Sequence, residues 1–195
     1  ASYDVDNNII KAENVSIIKV ADAAVFPAEG KVTILEDAKM ETLFDADILA
    51  NTTTRFHKIH DANVNIYSSK SYVAKGFYDY VDLNGDKQLI KFSTIAVNDS
   101  LGYTYAISRI RDTANFMLSP RFKYTGMVTL RAPTEFLEFT GGFGVVQDCY
   151  NRPEEWVAFD TVINPANVQI PVQQKILNQD GEYLDLSVNY SFAKG

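Results

Sequence analysis

The sequence predicts an all-β protein on three observations. Short runs rich in Val, Ile, Phe, Tyr and Thr recur about every ten residues, with Gly, Pro, Asn or Asp between them. Several runs alternate strictly, as in Lys31-Val-Thr-Ile-Leu35 and Gly126-Met-Val-Thr-Leu-Arg131, so that one set of side chains faces inward and the other faces solvent. Asn84-Gly85 separates Phe77-Tyr-Asp-Tyr-Val81 from Gln88-Leu-Ile-Lys-Phe92, and that dipeptide favours the positive φ angles of a tight hairpin turn. Asp180-Gly181 does the same before the last run.

In chain order the expected strands are Val15 to Val20, Lys31 to Leu35, Asn63 to Tyr67, Tyr72 to Val81, Lys87 to Val97 and Tyr103 to Ile110. They continue with Phe116 to Phe122, Tyr124 to Arg131, Phe136 to Phe139, Trp156 to Ile163, Val168 to Val172 and Tyr183 to Phe192. The first third adds a recurrence of the form Asp-Ala-x-apolar at Asp22-Ala-Ala-Val25, Asp37-Ala-Lys-Met40, Asp45-Ala-Asp-Ile48 and Asp61-Ala-Asn-Val64. The starts lie 15, 8 and 16 residues apart, close to multiples of eight, as when short strands stack as rungs of a β-solenoid. Ala at a bend and an apolar residue two places later would suit a crowded interior, with Asp turning the chain by bonding its own backbone. Glu36 to Ala50 also reads as a helix, because Met40, Leu43, Phe44 and Ile48 fall at i, i+3, i+4 and i+8. The expectation is therefore solenoid-like rungs over residues 1–82 running into a largely antiparallel sheet or sandwich over 83–195, as one continuous unit.

Composition narrows the class. The 195 residues are 46% hydrophobic and 22% charged, too apolar for disorder, yet no apolar run approaches the ~18 residues of a transmembrane helix. One cysteine, Cys149, cannot make an intrachain disulfide, and with two histidines it leaves no structural zinc set. Stability must come from burial, roughly 70% of the unfolded surface at this size. A net charge of -7, with no cationic cluster beyond the scattered Arg109, Arg111, Arg121 and Lys123, argues against a nucleic-acid partner. The opening Ala1-Ser-Tyr-Asp-Val-Asp6 has neither an initiator Met nor a basic and apolar leader, as expected of a piece of a longer chain.

Each candidate site has a plainer reading. Asp82, Asn84 and Asp86 start like a calcium loop, but Lys87 stands where Gly is needed and Ser93 where the bidentate Glu belongs, which favours a hairpin turn. His57 and His60 have a chelating spacing only on a helix; on a strand they point to opposite faces, and His60 reads as a surface or capping residue at a bend. The carboxylate pairs Asp45/Asp47, Glu135/Glu138 and Glu154/Glu155 could serve glycoside hydrolysis, and only Asp45/Asp47 share a strand face. Cys149 has no activating neighbour and reads as a buried inert thiol. Gly141-Gly-Phe-Gly144 lacks the Lys-Ser/Thr of a phosphate loop and marks a bulge or a close backbone approach. Among the aromatics, Tyr78/Tyr80 and Tyr103/Tyr105 each share a face, and with Trp156 they are the candidate glycan contacts; half-buried sheet packing is the alternative. No cofactor is expected.

The strings Tyr72-x4-Phe77-Tyr-Asp-Tyr-Val-Asp82, Phe116-Met-Leu-Ser-Pro-Arg-Phe-Lys-Tyr-x-Gly126-x-Val-x-Leu130 and Ile163-Asn-Pro-Ala-Asn-Val-x-Ile-Pro171 carry a resemblance. Over roughly Val15 to Val172 the chain resembles segments of very large, poorly characterised envelope or surface proteins of the Bacteroidetes. The shared features are strand patterns, and no active site comes with them. That resemblance implies export, and Asp99-Ser100-Leu101, Asp112-Thr113-Ala114 and Asp160-Thr161-Val162 look like the Asp-Ser/Thr-apolar O-glycosylation sites of that group. The Asn-x-Ser/Thr strings at Asn14, Asn51, Asn98 and Asn189 would matter only in a eukaryotic secretory route. The expectation is a non-catalytic structural or adhesion module at the cell surface or in the periplasm, contacting a glycan or a protein partner. A carbohydrate-binding module, a polysaccharide-active enzyme and a trimeric spike segment are the alternatives.

Overall fold

The computed structural model describes residues 1–4, 8–35, 39–146, 156–177 and 183–191. The fold is all-β. The strands are β1 (Ser2–Asp4), β2 (Ile9–Ala12), β3 (Ile18–Val20), β4 (Ala23–Phe26), β5 (Val32–Ile34), β6 (Leu43–Leu49), β7 (Lys58–Ser68) and β8 (Ser71–Val81). They are followed by β9 (Lys87–Val97), β10 (Thr104–Ile110), β11 (Met117–Ser119), β12 (Phe122–Arg131), β13 (Leu137–Val145), β14 (Val157–Ile163), β15 (Gln169–Leu177) and β16 (Tyr183–Ser191). A curled antiparallel sheet of eleven strands runs in the order β14-β13-β12-β10-β9-β8-β7-β6-β4-β3, with β11 beside β12. A small sheet, β1-β2-β5, and the hairpin β15-β16 complete the set. Among the described residues there is no α-helix, only a 3₁₀ turn at Asp112–Ala114, and no helix long and apolar enough to cross a membrane.

The strands expected from alternation over Tyr72 to Val81, Lys87 to Val97 and Tyr103 to Ile110 form within a residue or so of those limits as β8, β9 and β10. The rungs do not form: β3/β4, β4/β6 and β6/β7 pair antiparallel, whereas stacked coils need parallel neighbours. Nor is Leu43 to Leu49 helical. Asp37 and Ala38, Cys149, Glu154, Glu155 and the Asp180-Gly181 turn lie outside the described residues.

Contact clustering separates two compact units. The first comprises 1–79, 89–108 and 129–135, and the second 80–88, 109–128 and 136–195. The first has an aliphatic and alanine-rich interior: Ala23, Ala24, Val25, Ala46, Ile48, Ile59, Ala62, Val64, Ala74 and Ile95 are all essentially inaccessible. The Asp-Ala-x-apolar strings account for much of it, because Ala23/Val25, Ala46/Ile48 and Ala62/Val64 are three of the buried pairs. Their aspartates mark irregularities of the ladder. Leu43 faces Val64, Ala46 faces Ala62 and Ile48 faces Ile59, so β6 carries one extra residue before Ala46 and β7 one extra before Ala62. Asp45 (φ 52°) and Asp61 (φ 48°) occupy the left-handed region at these bulges, which Asp tolerates better than most residues. The two shifts cancel, so the pairing on either side stays in register.

The β7 bulge also presses on β8. A Cβ on Gly76 would lie 2.8 Å from Ile59 Cγ2 and 2.9 Å from the Ala62 Cβ, so this position accepts only hydrogen without displacement.

The second unit is aromatic inside. Tyr124 stands 5.1 Å from Phe139 and 5.7 Å from Phe159 between ring centroids, and Tyr80 stands 5.2 Å from Phe116 and 5.8 Å from Phe139. Phe143 continues the cluster to Phe122 and Phe159. Most of these contacts are edge-to-face or tilted, the arrangement that places positive ring edges on negative faces. Next to the cluster β12 and β13 touch backbone to backbone. A Cβ on Gly141 would lie 2.2 Å from Thr125 O, and one on Gly126 (φ 148°) 2.4 Å from Thr140 O. The Tyr124 hydroxyl fills the bend and donates to Met127 O at 2.6 Å. The Gly-Gly-Phe-Gly segment is thus a close backbone approach.

Gly141→Ala should destabilise the fold by about 2 kcal/mol or more in urea titration, because backbone must move to admit the methyl group. Gly85→Ala meets no atom within 4 Å, so it should cost only the about 1 kcal/mol of a left-handed alanine at φ 86°. Equal losses at the two positions would refute the steric account of Gly141.

Candidate functional site

In the first unit the most concentrated group of ionisable side chains lies on the outward face of β6, β7 and β8. Ile59, Ala62 and Val64 point inward, the bulge before Ala62 taking up the break in alternation, and Lys58 and His60 face outward beside Asp47 of β6 and Phe77 and Asp79 of β8. When protonated, His60 donates from Nδ1 to Asp61 Oδ2 at 2.7 Å and from Nε2 to Asp79 Oδ1 at 3.1 Å. Its ring stacks on Phe77, and Lys91 Nζ sits 5.7 Å from the centre of the same Phe77 ring. Lys58 Nζ pairs with Asp47 at 2.8 Å. The Asp61 hydrogen bond, opposed by partial burial and helped by Asp79, raises the His60 pKa above its ordinary 6.5. The Asp47 hydrogen bond and charge raise that of Lys58.

His57 faces the other way, 1% exposed, as expected of residues flanking the start of one strand. Its Nε2 donates to Thr134 O at 2.7 Å, which leaves Nδ1 to accept from the Tyr78 hydroxyl at 3.3 Å. Burial lowers the His57 pKa, only partly offset by the Thr134 bond. These two histidines therefore cannot share a ligand. Beside them, Asp22 Oδ1 accepts from the Thr104 backbone N–H at 2.9 Å and from Thr104 Oγ1 at 2.7 Å, and Asp22 Oδ2 accepts from Asn51 Nδ2 at 3.2 Å. Tyr72, buried, bonds Thr104 Oγ1 at 2.9 Å, and Thr54 Oγ1 donates to Ala132 O at 2.9 Å. These groups tie the turn between β6 and β7 to its neighbours.

The remaining candidates fall as follows. Asp45 is exposed at its bulge, against a hollow of about 210 Å³ lined by Pro27, Thr42 and Phe44, while Asp47 is engaged by Lys58. Glu135 is exposed in a loop and Glu138 is half-buried on β13. The Asp82 carboxylate accepts the backbone N–H groups of Asn84 and Asp86 at 2.9 and 3.0 Å, so it builds the β8–β9 turn, with Gly85 in the left-handed region.

Tyr78 and Tyr80 do share a face, but it is the inner one. Tyr80 is 3% exposed and donates to Leu118 O at 2.8 Å, and Tyr78 lies against His57 and Phe92, so this pair offers no glycan platform. Tyr103 and Tyr105 are half-buried. Trp156 is 38% exposed and packs over Gly142, whose added Cβ would sit 3.5 Å from it. Ser100 and Thr113 are exposed in turns; Thr161 is half-buried on β14. The partners of His60 escaped the sequence reading, because Asp79 meets it only through the register that sets His60 opposite Phe77.

No family model, no curated protein and no solved structure matches the chain.

An NMR titration of the two imidazoles should place His60 above 6.5 and His57 below it. A raised folded pKa means that the His60 contribution to stability is complete below pH 6.5 and is lost as pH rises through the folded value. A lowered one means that the His57 contribution is present above 6.5 and is lost as pH falls through the folded value. His60→Gln should therefore leave a stability that only rises with pH from about 5 to 8. A flat profile in that variant would contradict the assignment.

Proposed function

We propose that the chain is a non-catalytic structural or binding module of a larger exported cell-surface protein. One observation carries this reading: in both units, buried and half-buried polar side chains are bonded to backbone at turns and strand ends. Asp22 holds Thr104, His57 holds Thr134, Thr54 holds Ala132, Tyr80 holds Leu118 and Asp82 holds its own turn. Groups used in this way stiffen strands and turns, as a scaffold that presents its surface requires. The Asp-Ser/Thr-apolar sites at Ser100 and Thr113 sit in exposed turns, open to a modifying enzyme, and fit the resemblance to exported Bacteroidetes proteins. Glycan binding is the second reading, favoured by Trp156, exposed over a glycine on a strand.

Incubation with a panel of plant and microbial polysaccharides should release no new reducing ends, while glycan or protein capture on an array should retain the chain. Turnover that disappears in Asp45→Asn would overturn the non-catalytic reading.

A further inference from the structure

In the second unit, β14 and the first residues of β15 flank an open hollow of about 390 Å³, inside the ~300–1,000 Å³ range of small-ligand sites. Its wall is Thr161 and Val162 of β14, Asn164 and Asn167 of the connecting loop, and Gln169 and Pro171 of β15. Much of it comes from Ile163-Asn-Pro-Ala-Asn-Val-x-Ile-Pro171, one of the strings that carry the resemblance. We propose that this hollow binds a neutral sugar, an inference that rests on the reading of the chain as a binding module.

The chemistry of the wall selects that class. Three carboxamide residues and a threonine line it, and among the described residues no ionisable one does, so neither an anion nor a cation meets a compensating charge from them. A carboxamide carries two N–H donors beside an acceptor oxygen, which matches vicinal hydroxyls that each donate and accept. Val162, 51% exposed, and the Pro171 ring supply an apolar surface for the C–H face of a pyranose. The wall is also pre-formed. Asn164 Oδ1 accepts the Ala166 N–H at 2.9 Å and the Asn164 carbonyl accepts the Asn167 N–H at 3.0 Å, while Pro165 fixes its own φ. The Asn164 carboxamide is thereby oriented, with its NH₂ left to donate. This site is separate from the aromatic candidates.

Saturation-transfer NMR on the full chain, with glucose, galactose, mannose, N-acetylglucosamine and their disaccharides as probes, tests it. At least one neutral sugar should receive signal. Its affinity should fall about tenfold in Asn167→Ala and in Gln169→Ala, the loss of one or two hydrogen bonds in each. Both side chains are exposed, so the β signal in circular dichroism should not change. Thr161→Val, of nearly equal volume, gives a second measurement should an alanine variant lose that signal. Glucuronate or glucosamine binding more tightly than every neutral sugar would overturn the proposal, as would silence from all neutral probes. Equal sugar binding by wild type and variants would move the site elsewhere while leaving the binding module standing. Polysaccharide turnover would instead remove the module reading, whatever the hollow does.

Discussion

Two strands cannot press together past a certain distance while both carry side chains at the point of contact, and each compact unit meets that constraint with glycine. In the first unit the bulged segment of β7 pushes Ile59 and Ala62 against β8, and Gly76 is the residue that lets it. In the second, Gly126 and Gly141 bring the backbones of β12 and β13 into contact beside the aromatic cluster. Curvature in a sheet arises from such local irregularities, since regular ladders twist but do not fold sharply. The position of the Tyr124 hydroxyl follows from the same contact, because the bend exposes the carbonyls that it bonds.

The polar chemistry is subordinate to this geometry. A bulge leaves backbone groups without their regular ladder partners, and turns do the same, so side chains that can substitute for strand pairing gather there. Asp22, Asn51, Asp82 and Asn98 all bond backbone amides at turns, with Asn98 accepting from Ser100 and Leu101. His60 and Asp61 lie at the β7 bulge, where the extra residue brings a carboxylate alongside an imidazole of the same strand. Only Asp79, across on β8, makes that pair a three-residue cluster.

Where the ladder is regular, the sequence was a good guide. β8, β9 and β10 alternate over long stretches, and inward parity alone sorts Tyr72, Ala74 and Tyr80 from Val73, Lys75 and Val81. Where it bulges, parity breaks. The bulge makes Leu43, Ala46 and Ile48 the buried residues and leaves Phe44 outside, so the Met40, Leu43, Phe44 and Ile48 spacing that suggests a helix over Glu36 to Ala50 does not correspond to one buried face. The Asp-Ala-x-apolar strings held a correct fact, buried Ala and apolar residues after a bend, but period alone could not tell a rung from a bulge. Tyr78 and Tyr80 were correctly placed on one face, and nothing local to them says which face is inside. The Thr161 to Pro171 hollow was legible only as a string, since its wall exists once β14 and β15 stand together.

The two units are interleaved in the chain. β8, β9, β10 and β12 each begin in one and end in the other, and the first unit draws its last segment from residues 129–135. A ribosome releasing this chain from its N-terminus therefore cannot complete one body before starting the next. His57 waits for the carbonyl of Thr134, and Thr54 for that of Ala132. β6 and β7 find their ladder partners in β4 and β8 early, but the side-chain bonds that fix the turn between them form only once Thr134 has emerged.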